Sequence, residues 1–185
     1  RIIDIPASEA PLLGEFAKEI VNGIIIEMSN GFSYYNLIEQ FYNYNKIANI
    51  VNDYVYPSSD KIYSSWSGLY TARTMILQLK KADEELLNVY GDYCNVLIAM
   101  LYSNLVYGWG DVPYITDYDQ LEQIANQGGI PRESTHNILK DLRNKLFDAI
   151  DVLPEKKNQP LADVNGLFFA SKDVARVLLA NIYMY

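Results

Sequence analysis

The chain has 185 residues, half of them hydrophobic and 21% charged, which suits one folded domain with a sizeable core. Its formal net charge of -8, with no clustered Lys or Arg, argues against nucleic acid and anionic lipid surfaces as partners. The lone cysteine, Cys94, excludes an internal disulfide and any Cys/His metal spacing, and no apolar run is long enough to span a membrane.

Helical spacing dominates from the start. Pro11 fits near the head of a first helix with Leu12, Leu13, Phe16, Ile20 and Ile24 on one face. The stretch NGFS at 30–33 breaks it. A second helix is expected from about Tyr34, with Leu37, Ile38, Phe41, Tyr44, Ile47, Ile50 and Val51 stepping by three and four. Pro57 and its Ser/Asp neighbours in NDYVYPSSDK mark a loop. The third helix follows, carrying Trp66, Leu69, Tyr70, Arg73, Ile76, Leu77 and Lys80 along one side; beyond them Asp83, Glu84 and Glu85 read as a solvated face.

The fourth helix, YCNVLIAMLYSNLVYG, is apolar nearly all round and is expected to be buried between neighbours, with Gly108 as its C-terminal cap. VPYIT at 112–116 is the best strand signal. A clear amphipathic helix follows: Ser134 caps it, Ile138, Leu142, Leu146, Ile150 and Leu153 line one face, and Pro154 stops it. After a polar loop, a last helix capped by Ser171 or Asp173 carries Val174, Val177, Leu178 and Ile182. The expected class is therefore all-α, with few or no strands and about six helices in antiparallel pairs of tetratricopeptide-like packing. Ala99, Ala175 and Ala180 are placed where helices approach, although the full tetratricopeptide signature is absent.

Catalytic patterns are missing. His136 sits in the first turn of its helix as a surface histidine, and Cys94 has no basic neighbour to activate it. No catalytic residue, metal site or cofactor is assigned, so the chain reads as a non-enzyme. Two stretches hold more promise. Asp53, Tyr54, Tyr56, Ser58, Asp60 and Tyr63 bring aromatic faces beside hydroxyls and carboxylates. Such a loop can stack on sugar rings and hold their hydroxyls, or it can simply cover helix edges. YGWGDVPYITD at 107–117 reads as a joint: Gly108 and Gly110 let the chain reverse, Asp111 takes up freed amides, and Pro113 forbids more helix.

A helix ending in LYSNLVYGWGDVPYITD resembles the SusD/RagB family of Bacteroidetes outer-membrane nutrient-binding lipoproteins, with Ala99, Tyr102, Leu105, Gly110, Asp111, Val112 and Pro113 in that family's pattern. DYCNVLIAM departs from the acidic–Ala–Arg cluster usual at the head of that helix. WSGLYTARTMI, PRESTHNILKDLRNKLFDAIDVLPEKK and ASKDVARVLLANIYMY resemble three further family elements in the same order, though the first lacks its final Ala-Asn. The similarity runs from about 34 to 185. It implies that residues 1–185 are a single helical domain, the N-terminal portion of a longer protein. It further implies a lipid-anchored protein on the outer face of the outer membrane, its anchor upstream of this chain. Such a protein passes a glycan or other nutrient oligomer to a SusC-like TonB-dependent transporter. A helical-repeat scaffold that binds a protein and no sugar is the rival reading.

Overall fold

The structure, a computed structural model, describes residues 10–32, 60–86, 90–125, 129–153 and 171–185. The helix expected from about Tyr34, most of the tyrosine loop and the polar segment after Pro154 lie outside the described residues. Within them the order is α1 (Ala10–Gly31), α2 (Asp60–Leu86), α3 (Gly91–Trp109), β1 (Val112–Pro113), α4 (Tyr118–Ala125), β2 (Arg132–Glu133), α5 (Thr135–Val152) and α6 (Lys172–Met184). The class is all-α, as the spacing predicts, with one two-stranded sheet of two residues a strand.

The helices pack in succession, α1 on α2, α2 on α3, α3 on α5 and α5 on α6. Neighbours run antiparallel. Gly31 lies beside Gly68 while Gly23 lies beside Met75; Lys80 reaches Asn95 while Trp66 meets Trp109. The core centres on α3, which buries eleven residues from Tyr93 to Val106, so its all-round apolar pattern is answered by neighbours on several sides. α5 turns Ile138, Leu142 and Leu146 inward as its period predicts, and Leu153 is buried too, but Ala149 is buried where Ile150 is only half-buried. Among the described residues, no helix is long and apolar enough to cross a membrane.

Several local expectations need correction. Asp83 is fully buried, not solvated: its carboxylate accepts the Tyr90 N–H at 2.7 Å, just ahead of α3. Glu84 does face solvent. The strand signal VPYIT yields only Val112–Pro113, since Tyr102 takes up the backbone of Ile115 (below). α4 is an addition to the helices expected from the sequence: Tyr118, Leu121 and Ile124 step by three and pack against the core, and Asp117 caps the helix, accepting the Asp119 N–H at 2.8 Å. On α6, Ala175 and Ile182 are buried, but Val177 is 60% exposed and Ala180 is exposed.

Glycines set the α1–α2 distance. A Cβ on Gly68 would stand 3.2 Å from the Glu27 carbonyl and 3.3 Å from the Gly31 nitrogen, both backbone atoms that no rotamer change can move. Ala gains about 1 kcal/mol in helix propensity over Gly, but overpacking a rigid contact costs about 1–3 kcal/mol. Gly68→Ala is therefore expected to lower the melting temperature; an unchanged or raised value would show that α1 slides freely on α2.

Candidate functional site

α3 leaves the core through the joint. It runs to Trp109, and Gly110, at φ +71° and ψ -129°, closes it by donating its N–H to Val106 O at 2.9 Å. A Cβ on Gly110 would meet nothing within 4 Å, so the backbone angle, not crowding, asks for glycine. The cap thus falls two residues beyond Gly108, which sits exposed in the last helical turn. The extra residues carry Trp109 onto Trp66, whose ring centroid lies 5.6 Å away at 69°.

Asp111 does bond freed amides, but those of another helix. Its Oδ1 accepts the Thr135 N–H at 2.8 Å and the Thr135 hydroxyl at 3.0 Å, tying the joint to the head of α5. Arg132 Nη1 donates to the Asp111 carbonyl at 2.7 Å. Between these bonds β1 pairs antiparallel with β2, Val112 opposite Glu133 and Pro113 opposite Arg132. The α5 N-terminus has its own cap as well: Ser134 Oγ accepts from Asn137 N at 3.3 Å, and Glu133 Oε1 accepts from Ser134 N at 2.9 Å.

Three tyrosines pin the chain beyond the turn. The buried Tyr102 hydroxyl donates to Ile115 O at 2.9 Å and accepts from Ile115 N at 3.0 Å. Tyr70 donates to Pro113 O at 2.9 Å, and Tyr114 donates to Asp141 Oδ2 at 2.5 Å. Burial pushes all three hydroxyls well above the ordinary phenol range, so each stays a neutral donor. Arg73 lies beneath them, 93% withdrawn from solvent, with its guanidinium 4.8 Å from the Tyr70 ring centroid.

On the outer side of the joint is an aromatic ledge. Trp66 packs on Tyr70 at 4.8 Å and on Trp109, and Arg132 lies 5.9 Å from the Trp66 ring centroid. Tyr63 stands one helical turn before Trp66 and is 67% exposed. Flat π faces beside a guanidinium can stack on apolar ring faces and hold polar substituents.

No family model and no curated protein matches the sequence. Among solved structures, the crystal structure of a SusD homolog from Bacteroides thetaiotaomicron VPI-5482 matches with a TM-score of 0.57 at 20% identity. The match covers 70% of this chain and 26% of that one. The fold is SusD-like. This chain answers to about a quarter of that homolog's length.

Within the SusD-like fold the residues marked in the sequence fall into two groups. Gly108, Gly110, Asp111 and Pro113 share the joint, and only Gly110 adopts a positive φ there. Asp53, Tyr54, Tyr56 and Ser58 lie outside the described residues; Asp60 opens α2, its side chain likewise outside, and Tyr63 points outward at the ledge. Arg132 and Asp141 fall within PRESTHNILKDL, the stretch that resembles a family element, but the sequence gives them no role at the joint, which they meet from 21 and 27 positions away. Among the described residues, no group of three or more His, Cys, Asp or Glu is placed to hold a metal ion. Cys94 is buried in α3, where desolvation pushes its thiol far up.

Two outcomes test the joint. Gly110→Ala is expected to cost about 1–2 kcal/mol, whereas Gly108→Ala in the exposed last turn is expected to be neutral or to gain up to about 1 kcal/mol; equal effects in thermal melts would misplace the cap. Asp111 is held below its ordinary carboxyl value of 3.8 by its bonds to Thr135. Its contribution is complete above that ordinary value and is lost as pH falls through the lower folded one. Asp111→Ala should therefore melt lower than the parent at pH 6, with the gap narrowing as pH falls below 3.8. A gap that persists undiminished at acid pH would assign its effect to something other than the carboxylate.

Proposed function

We propose that this chain is part of a non-catalytic, SusD-like nutrient-binding protein of the outer-membrane surface. In this reading residues 1–185 form the N-terminal helical domain of a longer, lipid-anchored polypeptide. That protein captures an oligosaccharide or another nutrient oligomer and delivers it to a SusC-like TonB-dependent transporter. The observation that carries the reading is the fold match to a SusD homolog, reached from a sequence whose landmarks run in the same order.

The saccharide contacts in this proposal begin at Tyr63 and extend through Asp53, Tyr54, Tyr56, Ser58 and Asp60. Tyr63 offers an open ring at the rim of the Trp66–Trp109 ledge, and Arg132 beside it can donate to sugar hydroxyls. A stacked aromatic pair contributes about 0.5–1.5 kcal/mol, and a tyrosine ring on a pyranose taken at the same size changes affinity about two- to tenfold.

The full-length protein, purified from detergent-solubilised membranes of its native host, is expected to bring down an outer-membrane barrel bearing a TonB box. Recovery from the soluble fraction with cytoplasmic partners alone would sink the proposal. Tyr54→Ala, Tyr56→Ala and Tyr63→Ala are each expected to weaken oligosaccharide binding by about two- to tenfold with helical content unchanged. Full affinity in the triple variant would move the contact surface elsewhere.

A further inference from the structure

Arg73 puts a full positive charge beneath the tyrosines that hold the joint, at 7% exposure. Its guanidinium lies 4.8 Å from the Tyr70 ring centroid and approaches the Tyr102 hydroxyl. Nη2 reaches the neighbouring Thr74 hydroxyl at 3.4 Å. Nε and Nη1 are closed off from solvent and have no hydrogen-bond partner, although these two atoms carry most of a guanidinium's donors.

The charge is as unanswered as the donors. Among the described residues no carboxylate pairs with Arg73. Asp111 is taken by Thr135, Asp141 by Tyr114 and Lys145, and Asp119 by Lys81. Tyr70 and Tyr102 bring no negative charge, because burial keeps their hydroxyls protonated. A buried lysine can shed its proton, but arginine cannot. A permanent cation therefore sits where an unpaired ion is most costly.

We propose that Arg73 holds a small monovalent anion, of the size and charge of chloride, beside the Tyr70 and Tyr102 hydroxyls that bind the 113–115 segment. The ion accepts from the open N–H donors of the guanidinium and cancels its charge. A water molecule would answer the donors and leave the charge. Sulfate or phosphate carries more charge than one guanidinium cancels, and Nε and Nη1 are too deeply closed off for the carboxylate of a larger ligand. A way in exists for a single-atom ion. A cleft of about 100 Å³ between α2 and the head of α4 reaches Leu77, one helical turn from Arg73, and Thr116, next to the Ile115 peptide that Tyr102 binds. Lys80 and Lys81 line that cleft as well, opposite Asp117 and Asp119. The bound ion steadies Arg73 against Tyr70 and Tyr102, and through them the joint, whatever the protein binds at its surface.

The test uses the full-length protein at fixed pH and ionic strength, with chloride replaced stepwise by gluconate. Chloride is expected to raise the melting temperature along a saturable curve, by about 2 °C or more at about ten times its dissociation constant. Arg73→Met, which keeps much of the side chain's length and loses the charge, is expected to flatten that curve. Crystals grown in bromide are expected to show a bromine anomalous peak within hydrogen-bond reach of Arg73 Nη1 or Nε. Equal melting in the two salts, or a chloride effect that survives in Arg73→Met, would overturn the proposal. Density at Arg73 without an anomalous signal would overturn it too, by assigning the place to water. A bromide peak in a protein whose stability ignores chloride would mark an adventitious ion only, and the site would fall. Should Arg73→Met fail to fold, the parent's salt curve and its bromide peak decide the matter together.

Discussion

The two-way hydrogen bond between the Tyr102 hydroxyl and the backbone of Ile115 is the contact on which the joint depends. α3 is buried on nearly every side, so the chain that leaves it must cross the core's edge with peptide groups that helix bonding no longer satisfies. Ile115 is 1% exposed, and an unpaired amide or carbonyl there would cost about 1–3 kcal/mol each. One hydroxyl, fixed on the preceding helix, answers both groups. Tyr70 on α2 answers the Pro113 carbonyl, so two helices jointly hold one short segment.

This use of hydroxyls gives physical content to a composition with 16 Tyr and only six Phe. A phenylalanine at 70 or 102 would fill much the same space and strand a backbone carbonyl or amide, whereas one at 114 would leave Asp141 to Lys145 and solvent. The same amphipathic character serves differently at Tyr63, which is open to water. Composition alone cannot separate these uses, because a tyrosine's role is decided by whether its hydroxyl meets protein or solvent.

What was legible in the sequence follows the range of the interaction. α5 is set by local signals, a Ser cap and an apolar stripe that repeats five times, and both stand where the spacing puts them except at Ile150, half-buried beside a buried Ala149. α3 is equally plain, because a helix apolar all round can only be buried. The cap was misplaced by two residues because two glycines compete within one turn, and the winner was decided by Trp109 meeting Trp66 from another helix. Asp83 sits in a run of three acids that looks solvated; its partner is an amide seven residues away, at the head of another helix. Arg132 and Asp141 reach the joint through tertiary structure alone. Val177 belongs to the α6 stripe by period, yet no element of the described structure covers it.

The joint also fixes the aromatic ledge. Trp66 comes from α2, Trp109 from the end of α3 and Arg132 from β2, so the ledge is assembled by the same bonds that close the joint. Anything that stacks on Tyr63 meets a base whose parts are already held, and it need not order them. Removing Asp111 or Gly110 would loosen Trp109 and Arg132 together, since both are tied to the turn between them. Stability of the turn and readiness of the ledge are then one property, because the contacts that satisfy the buried peptide groups also set the positions of the exposed rings.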